Sequence, residues 1–334
     1  MNKKSLLALT LFLVLLASTA PLRAAEVVVY SARNEHLIQP LFDRFTGETG
    51  IRVKFITDQA GALVQRIRSE GRRTQADLFI TVDAGNLWYA ADQGLLQPVK
   101  SPTLEENIPS HLRDPEGRWF GLSVRARTIV YSTDRVDPAD LSTYEALGGP
   151  EWRGRLLLRT SKKVYNQSLV AMLIADHGVE KTERIVRSWV GNLAVDPLSN
   201  DTKVMEAILA GQGDVGIVNT YYYGRLSRED PELPLALFWP DQNGGGVHVN
   251  VSGAGVTRHA RHREEAVRLL EWLSSSSAQG IFAEANLEYP ANPGIEPHPA
   301  VKAWGTFKQS GMNLARAGEL QGEAIRLMDR AGYR

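Results

Sequence analysis

Trp119-Phe-Gly-Leu-Ser-Val-Arg-Ala-Arg127-Thr-Ile-Val-Tyr131 is the stretch on which the reading of the fold turns. It alternates over a length unusual for one strand, and it interrupts a different rhythm. Before it, short apolar runs at residues 26–30, 51–56 and 76–82 alternate with helical spacing at 37–45, 62–70 and 87–91. After it, strand-like 155–159 and 214–219 alternate with helical 168–177, 182–190 and 202–210. Alternation of strands with helices predicts a mostly parallel sheet covered on both faces. Such a pattern on either side of one long extended run predicts two α/β lobes, with 119–131 crossing between them. The glycine-rich stretch 242–255, which then alternates, reads as the return crossing. Residues 264–274 and 277–285 read as helices, 141–147 as a short helix, 161–167 as a polar loop and 315–330 as a final amphipathic helix. Two crossings between two lobes make a hinged clamp, in which a few positions absorb the rotation as a ligand is enclosed.

The chain opens Met1-Asn2-Lys3-Lys4, followed by an apolar run at 6–17 and then Ala24-Ala25. A positive head, an apolar middle and small residues at the cut form the layout of a secretory signal peptide. The run is too short for a membrane span, which needs about 20 residues. We therefore expect a signal peptide over residues 1–25 and delivery to a periplasm. The remaining length, about 310 residues, suffices for two domains. The expected lobes are 26–123 with 249–298, and 124–248 with 299–334. The sequence has no cysteine. That excludes disulfides, thiolate metal sites and a lipid-anchored cysteine at a mature start. Basic and acidic residues balance at 38 each, and removing Lys3, Lys4 and Arg23 leaves 35 basic residues against 38. A mildly acidic chain argues against nucleic acid as a partner. P-loop, His-Glu-x-x-His, Gly-x-Ser-x-Gly and Gly-x-Gly-x-x-Gly signatures are all missing, so no enzyme activity is expected.

Three stretches fall just after predicted strands, where ligands bind in open α/β sheets. They are Ser31-Ala-Arg-Asn-Glu-His36, Lys163-Val-Tyr-Asn-Gln167 and Asn219-Thr-Tyr-Tyr-Tyr223. Taken alone, the tyrosine run reads as packing, since Tyr presents an apolar body with a polar tip. Together the stretches supply phenols, a carboxylate, an imidazole, amides and a guanidinium. Phenolates are hard oxygen donors and suit hard cations. Arginine's planar fork suits a planar oxyanion.

On Tyr30-Ser-Ala-Arg-Asn-Glu, Ala76-Asp-Leu-Phe-Ile-Thr-Val-Asp83, Arg125-Ala-Arg127, Val164-Tyr-Asn-Gln-Ser168 and Asn219-Thr-Tyr-Tyr-Tyr223, the chain resembles the periplasmic ferric-ion-binding proteins of ABC importers. These are similar to transferrin in ligand chemistry, and the resemblance runs over nearly the whole mature chain. It implies the two-lobed, type II periplasmic-binding-protein fold with mixed, mostly parallel sheets. It implies Tyr165, Tyr221 and Tyr222 as Fe(III) ligands, with Glu35 a further candidate. Arg33 is implied as the holder of a synergistic anion such as carbonate, with Arg127 and Asn34 as further candidates. Several relatives carry His-Tyr after that arginine where this chain has Asn34-Glu35, and His36 stands one residue out of register with the family histidine. The implied partner is an inner-membrane permease, and the carrier is expected to be a monomer. Tyr223 should point elsewhere, because successive helical side chains rotate by about 100°. Two rival functions keep part of this picture. One is carriage of another small ligand, such as a polyamine, thiamine or an oxyanion. The other is an enzyme with a tyrosine nucleophile.

Overall fold

The computed structural model of the chain describes residues 25–334. The expected signal peptide lies outside the described residues except for Ala25. The strands are β1 (Glu26–Ser31), β2 (Arg52–Thr57), β3 (Leu78–Val82), β4 (Phe120–Ser132), β5 (Leu156–Leu157), β6 (Val215–Asn219), β7 (Leu235–Phe238), β8 (Val249–Val256) and β9 (Tyr289–Pro290). They join in one mixed sheet of order β2-β1-β3-β8-β4-β6-β5, with β7 and β9 pairing additionally to β4. Among the described residues, no helix is long and apolar enough to cross a membrane.

β4 is the crossing strand expected from its alternation, and it is buried throughout. Its first half, Phe120 to Ala126, pairs antiparallel with β8, and its second half, from Arg127 onward, pairs with β6 and β7. The change of partner between Ala126 and Arg127 is the border of the lobes. Around β1, β2 and β3 the pairing is parallel, as it is between β5 and β6. Antiparallel ladders are those that involve β4 or β8, the strands nearest the border. β4 and β8 approach closely where Gly121 faces Gly253. A Cβ on Gly253 would stand 2.4 Å from the Phe120 carbonyl oxygen, so no side chain fits there.

Two hydrophobic cores follow the two halves of β4. The first joins β1, β3 and β8 with helices on both faces, through residues such as Val29, Phe45, Phe79, Val251 and Leu270. The second gathers Ile129, Trp152, Val170, Trp189, Ile217 and Leu327 on one face of the second lobe's sheet. A smaller cluster around Val130, Met205 and Val218 covers its other face. Val301, Leu314 and Ala315 sit in the first core. The chain therefore returns to the second lobe some residues later than the expected 299. The return falls where the predicted terminal helix is broken, between Ala315–Glu319 and Gln321–Arg330. An amphipathic spacing at 315–330 does not distinguish one helix from two that face different cores.

Other departures are local. The helix expected over 168–177 starts earlier, as Val164–His177, so Tyr165 lies in its first turn and not in a loop. A first turn leaves its N–H groups free, so polar residues there do not signal a loop. The expected helix at 141–147 is reduced to the tight turn Glu145–Gly148, which Gly149 and Pro150 end. Only Leu156–Leu157 of the run 155–159 enters a ladder.

At the border, Tyr144 is inserted between the two crossings. Arg127 N donates to His248 O at 3.0 Å, but the reciprocal bond is absent. The Tyr144 hydroxyl takes its place, donating to Arg127 O and accepting from His248 N. Tyr144→Phe leaves that buried N–H without a partner, which costs about 1–3 kcal/mol. We expect a lower urea midpoint with an unchanged slope; an unchanged midpoint would contradict the role given to this hydroxyl.

Candidate functional site

A cleft of about 280 Å³ lies between the lobes, and all three predicted tyrosines line it. Tyr165 enters from the first turn of the helix Val164–His177. Tyr221 and Tyr222 enter from the first turn of the helix Thr220–Glu229, which begins where β6 ends. Tyr221 Oη donates to Tyr165 Oη at 3.2 Å, and the Tyr221 and Tyr222 rings lie 4.4 Å apart. Both helix starts aim free N–H groups and the positive end of the helix dipole toward this region, which favours negative oxygen. Tyr223 leaves the cleft. Its ring packs edge-on to Trp304, and its hydroxyl donates to Leu235 O.

The floor beneath the tyrosines is a buried ionic network centred on Arg127. Its Nε donates to Asn166 Oδ1 at 3.0 Å, and its Nη1 donates to Asp201 Oδ2 at 3.1 Å and Asn219 Oδ1 at 3.2 Å. Its Nη2 donates to Asn166 Oδ1 and to Ile217 O. Asn166 is next to Tyr165, and Asn219 immediately precedes the helix that carries Tyr221. Asp201 also accepts from Asn219 N at 3.0 Å and from Arg159 Nη1 at 3.4 Å. The sequence reading offered Arg127 as an anion holder. The structure spends its donors on holding two helix starts in place, and Arg127 does not line the cleft.

Arg125, two residues earlier on β4, does line it. Its nearest carboxylate, on Asp83, is 3.8 Å away, and its Nη2 has no hydrogen-bond partner. Arg33 lines the opposite wall as expected, paired with Glu288 at 3.1 Å, and its Nε is also unpartnered. Buried guanidinium donors without partners are uncommon, and two guanidinium groups lining one cleft suit an oxyanion. Asn34 lines the cleft too, but Glu35 is exposed in the first turn of its helix, and His36 beside it is also exposed. The helix begins at Glu35, so that side chain turns away. The carboxylate of this cleft is Glu288, supplied from far along the chain. Burial works to raise its pKa, but Arg33 and the Ser123 hydroxyl prevail and hold it below the usual carboxylate value.

The charges that lie over the phenol rings are cationic. Arg125, Arg159 and Lys163 stand 5.4, 5.3 and 5.2 Å from the Tyr165 centroid. Arg225 stands 5.2 Å from that of Tyr221 and 5.6 Å from that of Tyr222, and it donates to Asn286 of the first lobe. Burial raises the Tyr165 and Tyr221 phenols above their usual 10.0; Tyr222 adds to this at both, Arg125 opposes it at both, and the hydrogen bond from Tyr221 opposes it at Tyr165. A second bridge between lobes runs from Ser168 Oγ to Asp83 Oδ1 at 2.8 Å. Asp83 adopts φ 81, a conformation that costs a non-glycine residue energy. Its carboxylate also accepts from Gly85 N and Asn250, which hold it there.

Residues 74–308 match the family described as bacterial extracellular solute-binding protein. The chain belongs to that family. As a solute-binding protein it is 42% identical over 315 residues to iron uptake protein A1 of Synechocystis, covering 92% of this chain and 88% of the relative. It is 45% identical over 331 residues to iron uptake protein A2 of the same organism, covering 96% and 94%. A solved structure of Trichodesmium FutA (IdiA), in complex with iron and citrate ligands, matches with a TM-score of 0.90 at 44% identity, over 93% of this chain and 100% of that one. The fold is therefore the two-lobed one of the ferric-binding members of this family.

Sequence reasoning missed Arg125, Glu288, Arg225 and Asn286 as cleft residues. Arg125 carried a signal, standing in the run that opened the reading, but nothing local separates it from Arg127. Glu288 and Asn286 are brought in by tertiary contact alone. The network beneath the tyrosines yields a prediction. Asp201→Ala leaves Arg127 and Arg159 facing an uncompensated buried site and costs about 3–5 kcal/mol. The double variant Arg127→Met/Asp201→Ala should cost less than the sum of the two single changes, measured by denaturant unfolding. Strict additivity would show that the pair does not act as a unit.

Proposed function

We propose that this protein captures ferric iron in the interlobe cleft and hands it to a membrane permease of an ABC importer. The observation that carries the reading is the convergence of three phenols from two helix starts, walled by arginine donors that lack partners. The iron-uptake relatives support it. Tyr165, Tyr221 and Tyr222 are the iron ligands in this reading. Three phenolates neutralise Fe(III), and a small oxyanion, carbonate or a carboxylate such as citrate, completes the sphere against Arg33 and Arg125. Asn34 stands at the edge of the anion position. The chain acts as a monomeric carrier in the periplasm, exported by its signal peptide, and performs no catalysis.

Coordination stabilises the deprotonated phenol, so binding releases protons. Tyr165 and Tyr221 lie above their usual value in the free protein, so both are protonated at neutral pH and both must lose a proton. Apparent affinity for Fe(III) then falls as pH falls, by about a hundredfold or more per unit for two or more protons released. Competition with a chelator, corrected for the chelator's own protonation, checks the slope; a flat profile between pH 8 and 5, on the order of the range a protein survives, rules out phenolate ligation.

Iron-loaded protein should show a broad visible phenolate-to-iron band. Tyr165→Phe, Tyr221→Phe or Tyr222→Phe should each shift or abolish it, and Tyr223→Phe should leave it largely intact. Equal loss in all four variants would refute the assignment, and no band in the unaltered protein with bicarbonate present would refute the function. Arg33→Ala should weaken iron retention by removing its dependence on bicarbonate; a dependence as strong as before would deny Arg33 that part.

A further inference from the structure

Behind the hinge, on the far side of the crossings from the tyrosines, lies a second cavity of about 260 Å³. Its floor is buried: His248 at the entry to β8, Tyr144 between the crossings, and Leu169, Met172 and Leu173 from the helix Val164–His177. Its mouth is formed by Asp176 and His177 at that helix's end, by Asp241, and by the glycine loop at Gly245 and Gly246. A Cβ on Gly245 would come within 3.8 Å of Asp176 Oδ2, so that carboxylate lies close to the loop.

The chemistry of this cavity is opposite in sign to that of the tyrosine cleft. Arg33, Arg125, Lys163 and Arg225 line the front cleft, whereas no lysine or arginine lines the rear one. Asp176 has no ion pair among the described residues, and Asp241 Oδ2 meets only the Tyr144 N–H at 3.3 Å. Partial burial raises the pKa of both carboxyls, Asp176 and Glu145 add to this at Asp241, and the Tyr144 N–H at Asp241 and the His177 imidazole at both oppose it. Glu145, also in the lining, is already paired with Lys181. The independent sign of a ligand is His248. It is 4% exposed, it lines the cavity, and its Nδ1 has no hydrogen-bond partner. Burial, with Arg127 and Arg125 nearby, pushes its pKa down to about 3, so the ring is neutral and offers a hydrogen bond without a charge. A metal ion is the weaker match, because no group of three metal-ligating side chains is found among the described residues.

We propose that this rear cavity binds a small organic amine: its ammonium between Asp176 and Asp241, its apolar body over Leu169, Met172 and Leu173, and a hydroxyl at its far end meeting the His248 imidazole. The volume admits a molecule of about ten non-hydrogen atoms, since a water claims about 30 Å³ of liquid. The site does not depend on iron and does not rest on the function proposed above.

Tyramine is the probe, with tyrosol lacking its ammonium and phenethylamine lacking its hydroxyl. Titrations use the mature chain with isotope-labelled histidine, read by calorimetry and by the His248 ring resonance. We expect saturable tyramine binding that moves that resonance. Tyrosol should bind about tenfold more weakly, the loss expected for about 1.4 kcal/mol. Asp241→Asn and Asp176→Asn should each weaken tyramine by roughly fivefold, as for a partly exposed ion pair. Asparagine tolerates the φ of 58 at position 241, and Asp176 is exposed, so both variants keep the fold. Tyr165→Phe should leave tyramine binding unchanged. No saturation by about 10 mM, weaker than any specific site for a ligand this size, overturns the proposal. So does equal binding of tyrosol, or loss of binding in Tyr165→Phe with the aspartate variants unaffected. Equal binding of phenethylamine and tyramine overturns the part given to His248.

Discussion

A guanidinium buried at the border of two lobes is costly unless its donors are met, and Arg127 has partners on all sides. Its partners are Asn166, Asp201, Asn219 and the Ile217 carbonyl, which belong to three different helix or strand ends. Meeting the charge ties those ends to one another. Their placement brings the first turns of two helices side by side and puts Tyr165 within hydrogen-bond distance of Tyr221. The tyrosines are thus positioned from below by a residue that does not touch the cleft they line. The same strand then divides its labour: Arg127 serves the second lobe's interior, and Arg125, on the other side of the change of partner, lines the cleft.

Above that floor the cleft is prepared for negative oxygen before anything occupies it. Two helix dipoles point inward, and four cationic side chains lie over the phenol rings. Burial nevertheless keeps Tyr165 and Tyr221 protonated. The two effects oppose each other, and in the proposed iron site the phenols hold their protons until a strong Lewis acid arrives. A weakly acidic cation displaces such protons poorly. The balance therefore discriminates by charge density as well as by donor type.

Much of this was legible in the residues. The alternation of 119–131 against its surroundings implied two lobes and a crossing, and β4 is that crossing. The tyrosine run divided as helical rotation requires, with Tyr223 turned out to Trp304. The failures share a cause. Arg125 and Arg127 look alike in sequence, and only the change of strand partner between them assigns one to the cleft. Glu35 sits in the right loop, yet the helix that starts there turns it outward, while Glu288 arrives from a distant segment to pair with Arg33. The polar first turn of Val164–His177 looked like a loop because helix starts and loops share polar composition. The break at Leu320 was invisible because the strong amphipathic spacing of Gln321–Arg330 extends in sequence into the short helix Ala315–Glu319 before it.

The final return of the chain has a consequence in time. Beyond Leu320, the helix Gln321–Arg330 packs into the second core, and Tyr333 joins the network under the tyrosines. Its hydroxyl donates to Arg159 O and accepts from Asn166 Nδ2, the amide that sits beside Tyr165. A chain emerging from its N-terminus therefore possesses all three cleft phenols long before it can lock them. Assembly of the network under the phenols waits for Tyr333, which follows all three of them in the chain.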